Sequence, residues 1–341
     1  MDNLKKILTG HLGKDVPGVV GEYSDPIDFF IVEYSKLEIK GEEDLSTPIK
    51  TGFFRLLRQF RENYKHKYNI DISVNGKPIP LEELKEPDEN TQIIISNGDS
   101  AVIYLTNYNQ KYIIKHQNIL FIGPVSKIGD GFLYNNQHIK DVKFYGLNNV
   151  RSIGYAWLSN CGNLADVDFR GLYNLDRVNN GWLSGNQKIK NINFNGLSKL
   201  QSVDDYWMRR CGGILETIDF SGLTNLTNVG SFWLYECEMK TINFNGLNNL
   251  EKIGAAWLRL CPNLTRVDFT HLTNLKTVGN YALYDGIMKT VLINQDFPQG
   301  LRNIIQNSNV TFVIAPRATG GSVRQRPKKS KKKSKKKGNQ N

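Results

Sequence analysis

The chain has 341 residues, 40% of them hydrophobic and 23% charged, the composition of an ordinary soluble protein with room for two or three structural units. Its formal net charge is +11, yet residues 317–341 hold three Arg, eight Lys and no acid, which leaves 33 basic against 33 acidic residues elsewhere. A basic body built for nucleic acid is thereby excluded, since the tail carries the whole excess. Residues 1–11 contain two lysines but no apolar core of seven or more residues and no small-residue cleavage site, so they do not read as a signal peptide. The longest apolar runs, such as 29–32 and 119–122, are far below the ~20 residues of a membrane span. These features predict an intracellular protein, cytoplasmic or nuclear, with no transmembrane segment. In that setting the Asn-x-Thr triplets at Asn225, Asn263 and Asn309 carry no meaning.

Residues 1–98 show no repeat. Segment 28–34 reads as a buried strand, and Ser46-Thr47-Pro48 opens a helix over 49–68 whose apolar stripe is Phe53, Leu56, Leu57 and Phe60. Residues 70–74, then Asn75-Gly76, then 77–79 give a hairpin signal, followed by 81–84 and a strand over 92–96. That order predicts a small α+β domain over 1–98. Asn97-Gly98-Asp99 marks a boundary. Beyond it, 101–105 and 111–122 alternate like strands, a β capping segment over 99–124 that covers the apolar end of the repeats beginning at 125.

From 125 to 294 one pattern recurs seven times at a spacing of about 25 residues. Stacking the copies on their eighth position aligns Phe132, Trp157, Trp182, Trp207, Trp233, Trp257 and Ala282, so all five tryptophans fall in one column. A unit this short cannot bury its own apolar face; the copies form a solenoid, β-rich and elongated. Within a copy, Leu-x-x-Val-x-Phe supplies a strand, Gly-Leu-x-x-Leu a turn with a second apolar rung, and Ile-Gly-x-x-Trp-Leu-x-x-Cys a loop or short helical turn. In the second copy the inward set is Ile153, Trp157, Leu158, Cys161, Leu164, Val167, Phe169, Leu172 and Leu175. Position twelve holds all four cysteines, Cys161, Cys211, Cys237 and Cys261, and Asn136 and Asn186 in two other copies. This predicts buried, reduced thiols at a site where a small polar side chain satisfies loop backbone. After 294, a cap over 295–316 is predicted, with a short helix over 298–306 and a closing strand over 310–314. Residues 317–341, basic with Gly, Ser and Pro and no apolar pattern, read as a disordered polybasic tail.

The motif Val-x-x-Ile-Gly-x-x-x-Leu-x-x-Cys-x-x-Leu-x-x-Val-x-Phe resembles the BspA-like class of leucine-rich repeats, over about 170 of the 341 residues. That family occurs in bacterial surface proteins and in protists and the large DNA viruses that infect them, and the resemblance is to an intracellular variant of the protist or viral type. The chain departs from the family by placing Trp at the eighth column in five copies, where a small Ala is usual and only Ala282 keeps it, and Leu where Phe is usual beside it. The absent signal peptide is a second departure.

The outward strand position is filled by Lys143, Asp168, Asn193, Asp219, Asn243, Asp268 and Leu292, flanked on the same face by residues such as Asp166 and Arg170. Because strand side chains alternate faces, these form one polar surface rich in Asp and Asn. Asp166, Asp168, Arg170, Asn193, Asp219, Asn243 and Asp268 are thus candidates to bind a partner protein; equally, they form a solvated ladder that serves the stack itself. Asp166 and Asp168 look like a metal pair but have no third ligand at suitable spacing. His11, His66, His116, His138 and His271 are scattered, and no glycine-rich phosphate loop is present. No metal, cofactor or catalytic residue is therefore predicted, and the chain does not read as an enzyme. In the tail, Arg324, Arg326, Lys328, Lys329, Lys331, Lys332, Lys333, Lys335, Lys336 and Lys337 form a charge run suited to salt-sensitive, sequence-blind contact with DNA or RNA, or to nuclear import. It has no aromatic residue to stack on bases. The sequence thus predicts a protein-protein interaction scaffold with a nucleic-acid or targeting tail. The alternative is a surface or virion structural or adhesion protein, as the family resemblance implies.

Overall fold

The computed structural model describes residues 71–75, 77–80, 93–105, 114–123, 125–212, 218–285, 287, 290–295, 297–298 and 311–315. The expected strand over 28–34, the helices over 49–68 and 298–306, and the tail all lie outside the described residues, apart from Pro298. So does most of the α+β domain. Its hairpin is seen: β1 (Asp71–Val74) pairs antiparallel with β2 (Lys77–Pro78) around Asn75, a left-handed residue at φ 51. Beyond it, β3 (Ile93–Asn97) pairs antiparallel with both β1 and β4 (Ser100–Tyr104), and Gly98 at φ 58 makes the turn between β3 and β4.

The rest is a β-solenoid of about seven turns with no helix among the described residues. A wide ladder of parallel strands starts at β4 and runs through β5 (Asn118–Ile122), β7 (Asp141–Phe144), β9 (Asp166–Asp168) and β11 (Asn191–Asn193). Beyond the fourth copy a separate parallel sheet follows the same side, made of β14 (Thr241–Asn243), β16 (Arg266–Asp268), β18 (Thr290–Ile293) and β19 (Thr311–Ile314). In the fourth copy Phe220 stacks between Phe194 and Phe244, with centroids 5.8 and 6.0 Å apart, so the column is continuous there. The register pairs Ile119 with Val142 and Phe121 with Phe144. Residues 118–122 therefore occupy the strand place of the solenoid one step before the first full copy.

A second, narrow ladder joins two-residue strands: β6 (Lys127–Ile128), β8 (Ser152–Ile153), β10 (Arg177–Val178), β12 (Ser202–Val203), β13 (Asn228–Val229), β15 (Lys252–Ile253) and β17 (Thr277–Val278), all parallel. Between the two ladders the Gly-Leu turn is tight. A Cβ on Gly171 would lie 2.3 Å from Tyr145 Cα and one on Gly196 2.3 Å from the Phe169 carbonyl oxygen. Both obstacles are backbone of the preceding copy.

The third side replaces the expected loop or helical turn. Its residues at positions seven, nine and eleven are left-handed in all seven copies; in the second, Ala156, Leu158 and Asn160 have φ 56, 51 and 56. A non-glycine residue there costs ~1–2 kcal/mol. The alternation aims backbone groups along the stack axis. Ala156 N–H donates to Asn180 O of the next copy at 2.7 Å, Leu158 N–H to Phe132 O of the previous one at 3.1 Å, and Asn160 N–H to Ser184 O of the next at 2.7 Å. The strip is thus a third hydrogen-bonded ladder, and these bonds offset the strained backbone.

All nine residues of the expected inward set of the second copy are buried. Position eight lies between two left-handed residues and points inward, so the indoles of Trp157, Trp182, Trp207, Trp233 and Trp257 stack face to face. Their centroid separations are 5.6, 5.3, 5.1 and 5.6 Å and the interplanar angles 6°, 4°, 1° and 6°. A parallel column of Phe121, Phe144, Phe169, Phe194 and Phe220 meets the indoles edge-on or tilted. The five indole N–H groups have no hydrogen-bond partner. Each such loss, ~1–3 kcal/mol, is set against a buried ring of ~150–250 Å², which at ~25 cal/mol/Å² contributes about 4–6 kcal/mol.

Candidate interaction surfaces

The wide-ladder face brings together the sequence-predicted residues in one column, and shows what each already does. In five copies the outward Asp or Asn closes its own strand with an Asx turn, accepting the N–H two residues on. Asp168 Oδ1 accepts from Arg170 at 3.1 Å, Asn193 Oδ1 from Asn195 at 3.1 Å, Asp219 Oδ1 from Ser221 at 2.9 Å, Asn243 Oδ1 from Asn245 at 3.2 Å and Asp268 Oδ1 from Thr270 at 2.9 Å. The Arg170 guanidinium also holds Asp168 in a half-buried ion pair, while Asp166 accepts from Asn191 Nδ2 at 2.5 Å. Among the described residues Asp219 and Asp268 have no ion-pair partner, and the hydrogen bonds they accept fall on Oδ1. At the start of the column burial pushes the Asp141 carboxyl up from its usual range, and the Lys143 ammonium 3.7 Å away opposes that. Among the described residues no group of three or more His, Cys, Asp or Glu is placed to hold a metal ion. The ten cationic tail residues, from Arg324 to Lys337, lie outside the described residues.

Position twelve is structural. Cys161, Cys211, Cys237 and Cys261 are free, buried thiols that donate to the position-nine carbonyls of the preceding copies: Leu133 at 3.0 Å, Leu183 at 2.9 Å, Met208 at 3.1 Å and Leu234 at 3.2 Å. Asn186 does the same to Leu158 O at 2.6 Å and also accepts Cys161 N–H at 2.7 Å. Burial pushes the thiols of Cys161, Cys211 and Cys261 up to about 12 and raises that of Cys237 well above its ordinary value. A thiolate nucleophile is not available here.

The outer side of the left-handed strip was not singled out from the sequence. Positions seven and ten lie along it, partly or fully exposed except at Ser159 and Ala256, which are buried. In copies two and three they are Ala156, Ser159, Gly181 and Ser184; in copies four to seven they become Tyr206 and Arg209, Phe232 and Tyr235, Ala256 and Arg259, Tyr281 and Tyr284. Tyr206 stacks on Phe232 with centroids 4.9 Å apart, and the Arg209 guanidinium lies 5.6 Å from the Tyr206 ring and 5.3 Å from the Tyr235 ring. Arg259 lies 5.4 and 5.5 Å from the Tyr281 and Tyr284 rings and pairs with Asp285 at 2.9 Å. Glu236 takes hydrogen bonds from Arg210, which hold its carboxyl below the usual range. The Tyr, Phe and Arg residues that recur at these two columns, Tyr134 of the first copy included, are the signal that the sequence offers for this patch.

The sequence pattern that defines the BspA type leucine rich repeat region matches the chain in six copies over residues 103–225 and 186–311, more than half its length. The chain belongs to the BspA-type leucine-rich-repeat family. Leucine-rich-repeat proteins of this kind typically serve protein-protein interaction or surface adhesion and are generally non-enzymatic scaffolds. Two solved structures are similar. One is a leucine-rich repeat protein from Bacteroides ovatus ATCC 8483, 15% identical, covering 72% of this chain and 75% of its own with a TM-score of 0.36. The other is the T. pallidum leucine rich repeat protein, 16% identical, covering 64% of this chain and 92% of its own with a TM-score of 0.30. No curated protein sequence matches the chain. Among the described residues of this BspA-type chain no helix is long and apolar enough to cross a membrane.

Proposed function

We propose that this BspA-type protein is an intracellular, non-enzymatic scaffold whose repeat surface binds a partner protein while the basic tail holds nucleic acid or carries a nuclear address. The separation of charge supports this most directly: the body is neutral, and the eleven excess positive charges all lie in residues 317–341. A neutral, rigid solenoid presents shape and hydrogen bonds to a protein. A cationic run instead releases counterions from a phosphate backbone regardless of sequence. On the wide face Asp219 and Asp268, without an ion-pair partner among the described residues, are the residues best placed to meet a basic or polar segment, with Asn193 and Asn243 beside them.

Charge reversal on this face would break the Asx turns and confuse binding with folding. The triple change Asp168→Asn, Asp219→Asn and Asp268→Asn keeps the turn acceptor, as Asn193 and Asn243 already demonstrate, and removes the charge, together with the ion pair of Asp168 to Arg170. A protein captured from nuclease-treated lysate by the full chain and lost by the triple variant supports the reading; undiminished capture sinks it. Recovery of the native protein from a cell surface or purified particles would favour adhesion or a structural role instead.

A further inference from the structure

We propose that two copies of this chain join through β19 (Thr311–Ile314), strand to strand and antiparallel, as a two-fold dimer; the inference is independent of what the repeat face binds. The two outer ends of the wide side are built differently. At one end the last strand is β2, two residues long, and those residues are Lys77 and Pro78, both exposed. A short strand, a lysine and a proline are the usual guards of a sheet edge, proline because it has no N–H to offer. At the other end the last strand among the described residues is β19. It is four residues long, Thr-Phe-Val-Ile, with neither charge nor proline.

The register shows what that edge offers. Phe312 lies beside Val291 and Ile314 beside Ile293, on the core face of the sheet. Val291 and Ile293 are fully buried, whereas Ile314 is 51% exposed and Val313, on the opposite face, 40%. Ala315 N–H donates to Ile293 O at 2.9 Å, so Ala315 and, by alternation, Val313 and Thr311 turn their backbone groups toward β18. Phe312 and Ile314 therefore turn theirs the other way, where no described strand meets them.

The strand that complements this edge is β19 itself. Set antiparallel about a two-fold axis at Val313, Phe312 of one copy stands opposite Ile314 of the second as a hydrogen-bonded pair. The axis repeats that pair, so every outward N–H and C=O of both residues is matched. The same pairing lays Phe312 and Ile314 of both copies on one continuous core face. It sets Val313 against its counterpart, with Cα atoms about 4.5 Å apart. Because the guarded β2 end does not take a strand, the contact is isologous and growth stops at two copies. Four residues a side is a small interface, below ~1,200 Å² in total, so the dimer is weak and reversible. It nevertheless places two repeat surfaces in one particle, which would hold a partner with two sites by avidity.

Sedimentation velocity of the full chain from about 1 to 200 µM, in ~0.3 M salt to screen the basic tails, tests this. A monomer and dimer in exchange is expected, with half-association on the order of 10–100 µM. Val313→Lys and Val313→Glu each set like charges on the axis and should weaken the dimer about tenfold or more. Their equimolar mixture should restore it, since Lys then faces Glu. Ile314→Pro removes an outward N–H and none directed at β18, and should weaken the dimer as much. Near-UV circular dichroism like that of wild type shows that each variant is folded. Charge variants that dimerise like wild type, or a mixture no stronger than either alone, overturn the pairing. A wild type that stays monomeric at 200 µM overturns the dimer and leaves the edge to a strand of another protein. Growth beyond two copies overturns the closed dimer in favour of open edge-to-edge stacking.

Discussion

Positions seven and eight are chain neighbours, yet across the stack they obey different rules. Position eight, turned inward, is Trp in five consecutive copies, whereas position seven varies, being Ala156, Gly181, Tyr206, Phe232, Ala256 and Tyr281 from the second copy to the seventh. Inside, each ring must match the ring before and after it, so the column changes as a unit. Outside, a residue answers mainly to solvent and its nearest neighbours, so small and aromatic side chains both occur in that column. The contrast separates what a repeat needs to stack from what this protein has added to it.

The strongest way to break the inner column is Trp182→Ala, with stacked indoles on both sides. A loss of ~3–5 kcal/mol is expected, seen in urea unfolding as a lower midpoint and, because copies stabilise one another only through neighbours, as a broadened transition. Next comes Asn186→Ala, which leaves Cys161 N–H and the Leu158 carbonyl unpaired in the interior. It should cost ~2–4 kcal/mol, on the scale of one to three per buried orphan. Asn186→Cys should cost less, because four other copies already use a thiol to reach that carbonyl.

The thiols give a pH signature to the inner side alone. Their folded values lie near 12 for Cys161, Cys211 and Cys261, above the ~8.5 of an unfolded cysteine. The unfolded state therefore releases protons first as pH rises. The stabilisation is complete below about pH 8.5 and drains away between there and about 12. Thermal unfolding from pH 8 to 11 should show a falling midpoint, and replacing all four cysteines by Ala should flatten that slope even though the variant starts less stable.

Outside, effects shrink. Phe232→Ala removes one exposed-side stack and should cost about 1 kcal/mol. Ala156→Gly, at a left-handed residue in the place where Gly181 stands one copy later, should stabilise by about 0.5–1 kcal/mol, the left-handed cost of ~1–2 exceeding the entropy glycine adds to the unfolded chain. A measured destabilisation would mean that the strip's backbone is less strained than its φ of 56° implies.

Much of the interior could be read from the sequence, because a repeat displays the same constraint seven times: the tryptophan column, the cysteine and asparagine site and the inward set of the second copy all came from aligning the copies. The Asp and Asn column was legible as a surface but not as a set of Asx turns, since Asp168 and Arg170 look the same in the sequence whether they face a partner or each other. Least legible was the third side. Leu158 and Leu258 at φ 51 and 54 contradict every local preference of leucine, and only stacking with adjacent copies holds them there. Without that conformation nothing says that positions seven and ten share a face, so the Tyr and Arg patch stayed hidden in a segment read as a loop or helical turn.

The five indoles, almost parallel and each at most 5.6 Å from the next, also couple as one chromophore. Dipolar coupling between rings rises steeply at such separations, so excitation of any one tryptophan is shared along the row. Its circular dichroism will carry a signed couplet that isolated residues lack. A break anywhere between copies two and six would split the row and change its colour, in effect, giving the molecule an internal optical gauge of its own continuity.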